Sequence, residues 1–283
     1  MIEKQSIMVV AAHADDNEVI AGGTMRKYYE QGYEIIYVMS TNNMSGANST
    51  LGADGKIVSV SEPPEIMSAR RKSECDAAAA LVGTKPIHLD HPQRHYRDAA
   101  GKFHELRYGC ALPPGVPAGV PSILTAYEDA AAVKRLTDLI LQRNPACIIT
   151  MGMGTNNIEH AATAMLAVKC FWQAVDKGFR GAMIQGREDY TSFGDVNAKW
   201  DTFVDISDYV DKKMEMLAKH RCQMPTAHEP DHGHRLRVLK WGVACGCKAA
   251  EVFTWVRRYD RPDLDARLLT YSPLIAELMH HSR

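Results

Sequence analysis

The sequence predicts an α/β fold: a mostly parallel sheet with helices on both faces and long loops over one end. Three observations predict it. Two apolar runs, IMVVAA at 7–12 and EIIYVM at 34–39, flank a helix-like segment at 18–31 that stops before Gly32. Strand, helix and strand within about 30 residues make a βαβ unit. Runs of the same two kinds then alternate down the chain, which implies parallel pairing.

The elements follow in order. Residues 7–12 are continuously apolar and end just before a charged cluster, as a strand buried on both faces does. Residues 34–39 have the same character. A helix over 64–82 starts after Pro63 and stops at Gly83, with proline at its start and glycine past its end. PIHL at 86–89 is a third strand, 126–143 a helix, and ACIIT at 146–150 a fourth strand. A helix at 159–177, strands at 181–185 and 200–206, and helices at 207–220 and 234–256 complete the regular part. Two segments break the rhythm: 41–62, rich in Ser, Asn and Gly, and 91–125, with its PPGVPAGVP stretch. Loops of that length in a compact domain line or cover a site. No internal repeat or linker divides the chain, so residues 1–283 read as a single domain.

Composition excludes several classes of function. The 283 residues are 46% hydrophobic and 24% charged, an ordinary globular balance able to bury a core. With 33 basic and 34 acidic residues the net charge is -1, which argues against a nucleic-acid partner. No run of about 18 apolar residues occurs, so no membrane span is expected. The apolar start is too short for a signal peptide, and the expected location is cytoplasmic. Seven scattered cysteines without a CxxC pair fit a reduced state there. A homo-oligomer is compatible with all of this.

The chemistry concentrates in AHADDNE, directly after the first strand. In open α/β sheets, ligand sites lie at the carboxyl ends of the strands. An imidazole and a carboxylate in one short turn offer two ligands to a divalent cation, with a preference for Zn, Fe or Mn. A second carboxylate beside them can take a proton from a bound water. Asp15 and Asp16 can equally cap the following helix, where negative charge is favourable. Both roles can hold at once.

The stretch AAHADDNEVIAGGTMRKYYEQGYEIIYVMST resembles the opening of the PIG-L, or LmbE-like, deacetylase family. That family's pattern is A-H-P-D-D-x-E, then G-G-T, a helix, a glycine and a second strand ending in threonine. The equivalents are His13, Asp15, Asp16, Glu18, Gly22, Gly23, Thr24, Gly32 and Thr41, with Ala14 in place of the proline. Arg71 to Glu74, the segment FVDISDYVDKKMEMLAKHRCQM and Ala250 to Phe253 are similar to later family blocks, in the right order. Cys222 stands where serine is usual.

The resemblance implies a Rossmann-like fold, a catalytic zinc or other divalent transition metal, and hydrolysis of an N-acyl bond. The implied substrate is a small N-acetylglucosamine-type amino sugar or its conjugate. His160, after the fourth strand, sits at the second histidine of the family's H-P-D-H and would join His13 and Asp16 as metal ligands. Asp15 is then the base. The first histidine of that motif is replaced by Asn157, whose amide can donate to an oxyanion but cannot transfer a proton. His232 or His234 could supply that function, and the stretch His228 to His232 is a rival ligand source. Arg71, Asn157, Asp90 and Asn43 are candidate substrate contacts, and Tyr96, Phe103 and Tyr108 could stack on a sugar ring. Two alternatives are an amidase for another N-acyl or thiol conjugate and a sugar-binding protein that has lost catalysis. A nucleotide-binding reading is set aside, because Gly22-Gly23 is not a GxGxxG fingerprint.

Overall fold

The computed structural model describes residues 5–97, 100, 102–105, 120–155, 157–187 and 200–257. The first half runs β1 (Ser6–Ala11), α1 (Asp16–Glu30), β2 (Glu34–Thr41), β3 (Asn48–Leu51), β4 (Ile57–Val60), α2 (Pro64–Ala80), β5 (Ile87–His91), β6 (His95–Arg97) and β7 (Phe103–Glu105). It continues α3 (Ala130–Arg143), β8 (Cys147–Met151), α4 (Ile158–Asp176), β9 (Ala182–Gly186), β10 (Thr202–Asp205), α5 (Val210–Leu217), α6 (Gly233–Cys245) and β11 (Ala250–Arg257). Tyr108 lies outside the described residues.

Seven strands form the central sheet in the order β10-β11-β9-β8-β1-β2-β5. The pairs from β9 through to β5 are parallel, and β11 runs antiparallel to both of its neighbours. Every residue of β1 is buried. Because side chains alternate across a strand, Ile7, Val9 and Ala11 enter the core on one face and Met8 and Val10 the core on the other. α1 and α5 cover the first face, α3 and α4 the second. A strand buried on both faces must be apolar throughout, which is why these runs were legible.

The single helix expected over 234–256 does not form. α6 ends at Cys245, where Gly246 takes the left-handed φ of 75° that glycine tolerates. The following residues enter the sheet instead: Ala250 and Val252 pack with Phe203 on one face, Phe253 in the main core on the other. Gly242 permits the close return of the chain, since a Cβ there would lie 2.4 Å from the Lys248 carbonyl oxygen. The two long loops also carry structure that the sequence did not announce. β3 pairs with β4, and β6 with β7, as small antiparallel hairpins.

α1 is kinked at Ala21, whose φ is -148° and ψ 19°. The break frees backbone groups that a buried ion pair takes up. Lys213 Nζ donates to the carbonyls of Glu18 and Val19 at 2.7 and 2.9 Å, while Glu251 accepts from the amides of Gly23 and Thr24 at 2.9 and 2.8 Å. Lys213 and Glu251 are themselves 2.5 Å apart. The Gly22-Gly23-Thr24 block thus marks a helix break, and Gly23 has no room for a Cβ, which would lie 2.6 Å from Ile206 Cδ1.

Candidate metal centre

From β1 the chain winds outward through β2 to β5; on the other side of β1 it runs from β8 to β9. The junction of β1 and β8 is therefore the switch point of the sheet, and their carboxyl ends open a crevice. The loop after β1 carries His13 to Asp16, and the loop after β8 leads to Asn157 and His160 at the start of α4. The topology thus brings together two segments that are 147 positions apart in the chain.

His13, Asp16 and His160 converge, all buried. His13 Nδ1 lies 3.0 Å from His160 Nε2 and 3.0 Å from Asp16 Oδ2, and His160 Nε2 lies 3.3 Å from the same oxygen. Ligand atoms about 2.0–2.1 Å from a tetrahedral zinc stand roughly 3.3 Å apart. The triangle therefore fits a small divalent cation with shifts of a few tenths of an ångström. Glu159 completes the arrangement from outside: its Oε2 is 2.5 Å from His13 Nε2. A proton on Nε2 leaves the Nδ1 lone pair facing the other two ligand atoms, the usual second contact of a metal-binding imidazole.

Charge is tuned by this packing. Burial opposes ionisation of Asp16, but His160 and His13 outweigh it and hold the carboxyl well below the ordinary range. Burial likewise opposes the Glu159 carboxylate, and the hydrogen bond from His13 prevails, bringing its pKa to about 2. Asp15 behaves differently. Burial raises its pKa to about 6, with Arg71 resisting. Among these carboxyls it is the one poised to exchange a proton near neutral pH.

Asp15 sits at φ 109°, a conformation that non-glycine residues rarely adopt, and its side chain makes no capping bond to α1. Neighbours hold it there. Asn43 Oδ1 accepts from the Ala14 amide at 2.7 Å, and Arg71 Nη2 donates to the Ala14 carbonyl at 2.8 Å. The same guanidinium reaches Ser45 O at 3.1 Å and Asp15 Oδ1 at 3.4 Å. Below them, buried Glu18 is held by the Tyr37 hydroxyl at 2.9 Å and by His220 Nε2 at 3.1 Å.

A cavity of about 380 Å³ opens over the cluster, lined by His13, Asp15, Asp16 and His160 and, around them, by Arg71, Asn157, Gln93 and His95. Asn157 caps α4 through its side-chain oxygen, which accepts from the Glu159 amide at 3.0 Å. Asn43 is fully buried beneath the turn and does not line the cavity. Asp90 does not line it either; its carboxylate pairs with Lys72 at 2.5 Å. Tyr96 does not line the cavity, and its ring stacks on His104. His232 caps α6, His228 pairs with Glu229, and neither they nor His234 line the cavity.

The family model described as GlcNAc-PI de-N-acetylase, PIG-L, matches residues 8–171, more than half of the chain. The chain belongs to the PIG-L family. It is 25% identical over 197 residues to a 1D-myo-inositol 2-acetamido-2-deoxy-alpha-D-glucopyranoside deacetylase of Thermobifida fusca, a match that covers 65% of this chain and 60% of that one. The chain thus spans less than two thirds of that relative's length. In fold it is similar to the N,N'-diacetylchitobiose deacetylase of Pyrococcus horikoshii, with TM-score 0.61, 19% identity, and 90% and 84% of the two chains covered. It is equally similar to GalB, the 4-carboxy-2-hydroxymuconate hydratase of Pseudomonas putida, with TM-score 0.61, 18% identity, and 92% and 100% covered.

Against the PIG-L pattern the departures have visible consequences. Ala14 replaces a proline, and its amide is the one Asn43 accepts from. Glu159 went unremarked in the sequence, although it directly precedes His160. Gln93 and His95 were missed because they come from a long loop. Glu159 ties that loop down: its Oε1 accepts from the Arg94 amide at 2.5 Å and its Oε2 from Gln93 Nε2 at 3.2 Å.

Proposed function

We propose that this PIG-L chain is a metal-dependent N-deacetylase, acting with zinc or another divalent transition metal on an N-acetylglucosamine-type amino sugar or its conjugate. The observation that carries the reading is the buried convergence of His13, Asp16 and His160 beside a spare carboxyl, Asp15, whose pKa stands near neutrality. The names of the Thermobifida and Pyrococcus relatives, both deacetylases of amino sugars, support the substrate class.

His13, Asp16 and His160 would hold the cation, which when bound lowers the pKa of its water to about 7 and polarises the acyl oxygen. Asp15 accepts the proton of the attacking water, whose oxygen adds to the acyl carbon. Arg71 and Asn43 keep Asp15 in its strained conformation. Asn157 stands at the cavity wall, where an amide can donate to the developing oxyanion. Collapse of the adduct breaks the carbon–nitrogen bond, the nitrogen takes up a proton, and acetate and a primary amine are released.

The test is a panel of N-acetylglucosamine derivatives incubated with protein with and without added zinc. Free amine and acetate should form in equal amounts, and a chelator should stop both. A second reading, a hydratase, is favoured by the full-length likeness to GalB. It predicts no amine release and instead loss of absorbance from a conjugated unsaturated carboxylic acid. An amide panel without product, together with tight binding of the same sugars, would indicate a binding protein.

A further inference from the structure

An amide nitrogen leaves only if it is protonated, and in this cavity one imidazole outside the ligand set is placed to do it. Among the described lining residues the histidines are His13, His160 and His95. His95 begins β6, and its half-buried ring lies against Phe103 of β7 with centroids 5.4 Å apart. Its position is fixed through the backbone. The amide of its neighbour Arg94 is bonded to Glu159, and Glu159 in turn contacts the ring of His13. The ring therefore stands one residue from an anchor built into the metal cluster.

Asp15 and His95 reach the same cavity from different segments, the loop after β1 and the hairpin of β6 and β7. Asp15 is held from α2, where Arg71 Nη2 stands 3.4 Å from its Oδ1. His95 is held from the hairpin, where its ring packs on Phe103 of β7. Attack removes a proton from the water oxygen and departure adds one to the nitrogen, two different atoms of the adduct, so two proton-carrying groups from two segments can serve the two steps. Burial lowers the pKa of His95, so its imidazolium is a stronger acid but a less populated one at neutral pH.

Given the N-acyl hydrolase reading, on which this depends, we propose that His95 is the proton donor to the leaving nitrogen. As the carbon–nitrogen bond of the tetrahedral adduct breaks, its electron pair goes to nitrogen. That nitrogen takes a proton from the His95 imidazolium. The ring is left neutral and is reprotonated by solvent at the cavity mouth, while Asp15 returns its own proton to water.

The test compares His95→Gln and His95→Asn with wild type on an N-acetyl sugar and on p-nitrophenyl acetate, whose phenolate leaves without a proton. Loss of a general acid is worth about 10²–10⁴ in rate. The ratio of amide to ester turnover should therefore fall about 100-fold or more, in kcat with KM little changed, and each variant should keep the wild-type metal content. A readout independent of the ester is the alkaline limb of the wild-type amide pH profile, which should be absent in both variants. Equal loss on both substrates, an unchanged amide rate or a retained alkaline limb would overturn the assignment. A wild type that releases no amine from any acetamide would instead overturn the hydrolase reading and this role with it.

Discussion

Glu159 Oε2 lies 2.5 Å from His13 Nε2, while the other nitrogen of that ring faces His160 and Asp16. One imidazole thus connects an outer carboxylate to the candidate ligand triangle. Carboxylate contacts of this kind set the tautomer and raise the basicity of a ligand, and their removal costs about 10–100-fold in metal affinity. Glu159→Gln should weaken zinc by about that factor. Competition with a chromogenic chelator measures it. An unchanged affinity would mean that Glu159 serves only to anchor Gln93 and Arg94.

As the proposed base, Asp15 makes activity depend on pH. A base acts when ionised, so activity must fall as the pH drops through its pKa. Burial places that value at about 6 and Arg71 already holds it down; a bound cation would push in the same direction. The acid limb of kcat/KM should therefore lie at or below about pH 6. Arg71→Met removes a favourable charge and should move the limb upward by about one unit or more. Arg71→Lys keeps the charge and should leave the limb near wild type. Asp15→Asn should retain metal and lose most turnover.

Asn43 replaces rigidity with a hydrogen bond. Its carbonyl oxygen takes the Ala14 amide, which a proline at that position would lack. Asn43 itself has φ 58°, so Asn43→Gly tests the side chain without adding backbone strain. That variant should lose about 1–3 kcal/mol in urea unfolding, the cost of a buried donor left alone. Ala14→Pro alone strands the Asn43 oxygen and should also destabilise. The double variant removes both partners and should be more stable than the two losses summed. Simple additivity would show that this contact does not hold the turn.

The parts legible in the sequence were those written as contiguous patterns. β1, α1 and β2 showed because strands buried on both faces must be apolar, and His13, Asp15 and Asp16 because they follow such a strand. β11 was not legible. Its residues Ala250–Arg257 follow Gly246 after only a few positions, and an antiparallel strand slotted between β9 and β10 is specified by distant neighbours. The helix signal of α6 therefore ran on through it. Asp90 looked like a rim residue because the third strand was expected to end at 89, but it lies within β5 and Lys72 on α2 captures it. Glu159, Gln93 and His95 form their constellation only once the hairpin loop folds back on α4. No spacing along the chain encodes that approach.

The kink in α1 makes the last prediction. Lys213 is fully buried and donates to two carbonyls and one carboxylate, Glu18 O, Val19 O and Glu251 Oε1. Lys213→Met leaves all three without that donor and Glu251 as a buried charge, so about 3–5 kcal/mol of stability should be lost. Adding Glu251→Gln removes the unpaired charge while keeping an acceptor oxygen for one of the Gly23 and Thr24 amides, and it should recover part of the loss. Gly23→Ala tests the other side of the break. Its Cβ would stand 2.6 Å from Ile206 Cδ1 and 2.9 Å from Ile206 Cβ, against 3.1 Å to a flexible Lys213 methylene for Gly22→Ala. Overpacking of the first kind costs about 1–3 kcal/mol, and Ile206→Ala should relieve it only in part because the Ile206 Cβ remains. Chemical denaturation of the set decides the matter. If Lys213→Met unfolds at the wild-type midpoint, the kink is held by packing alone and the buried ion pair is incidental to it.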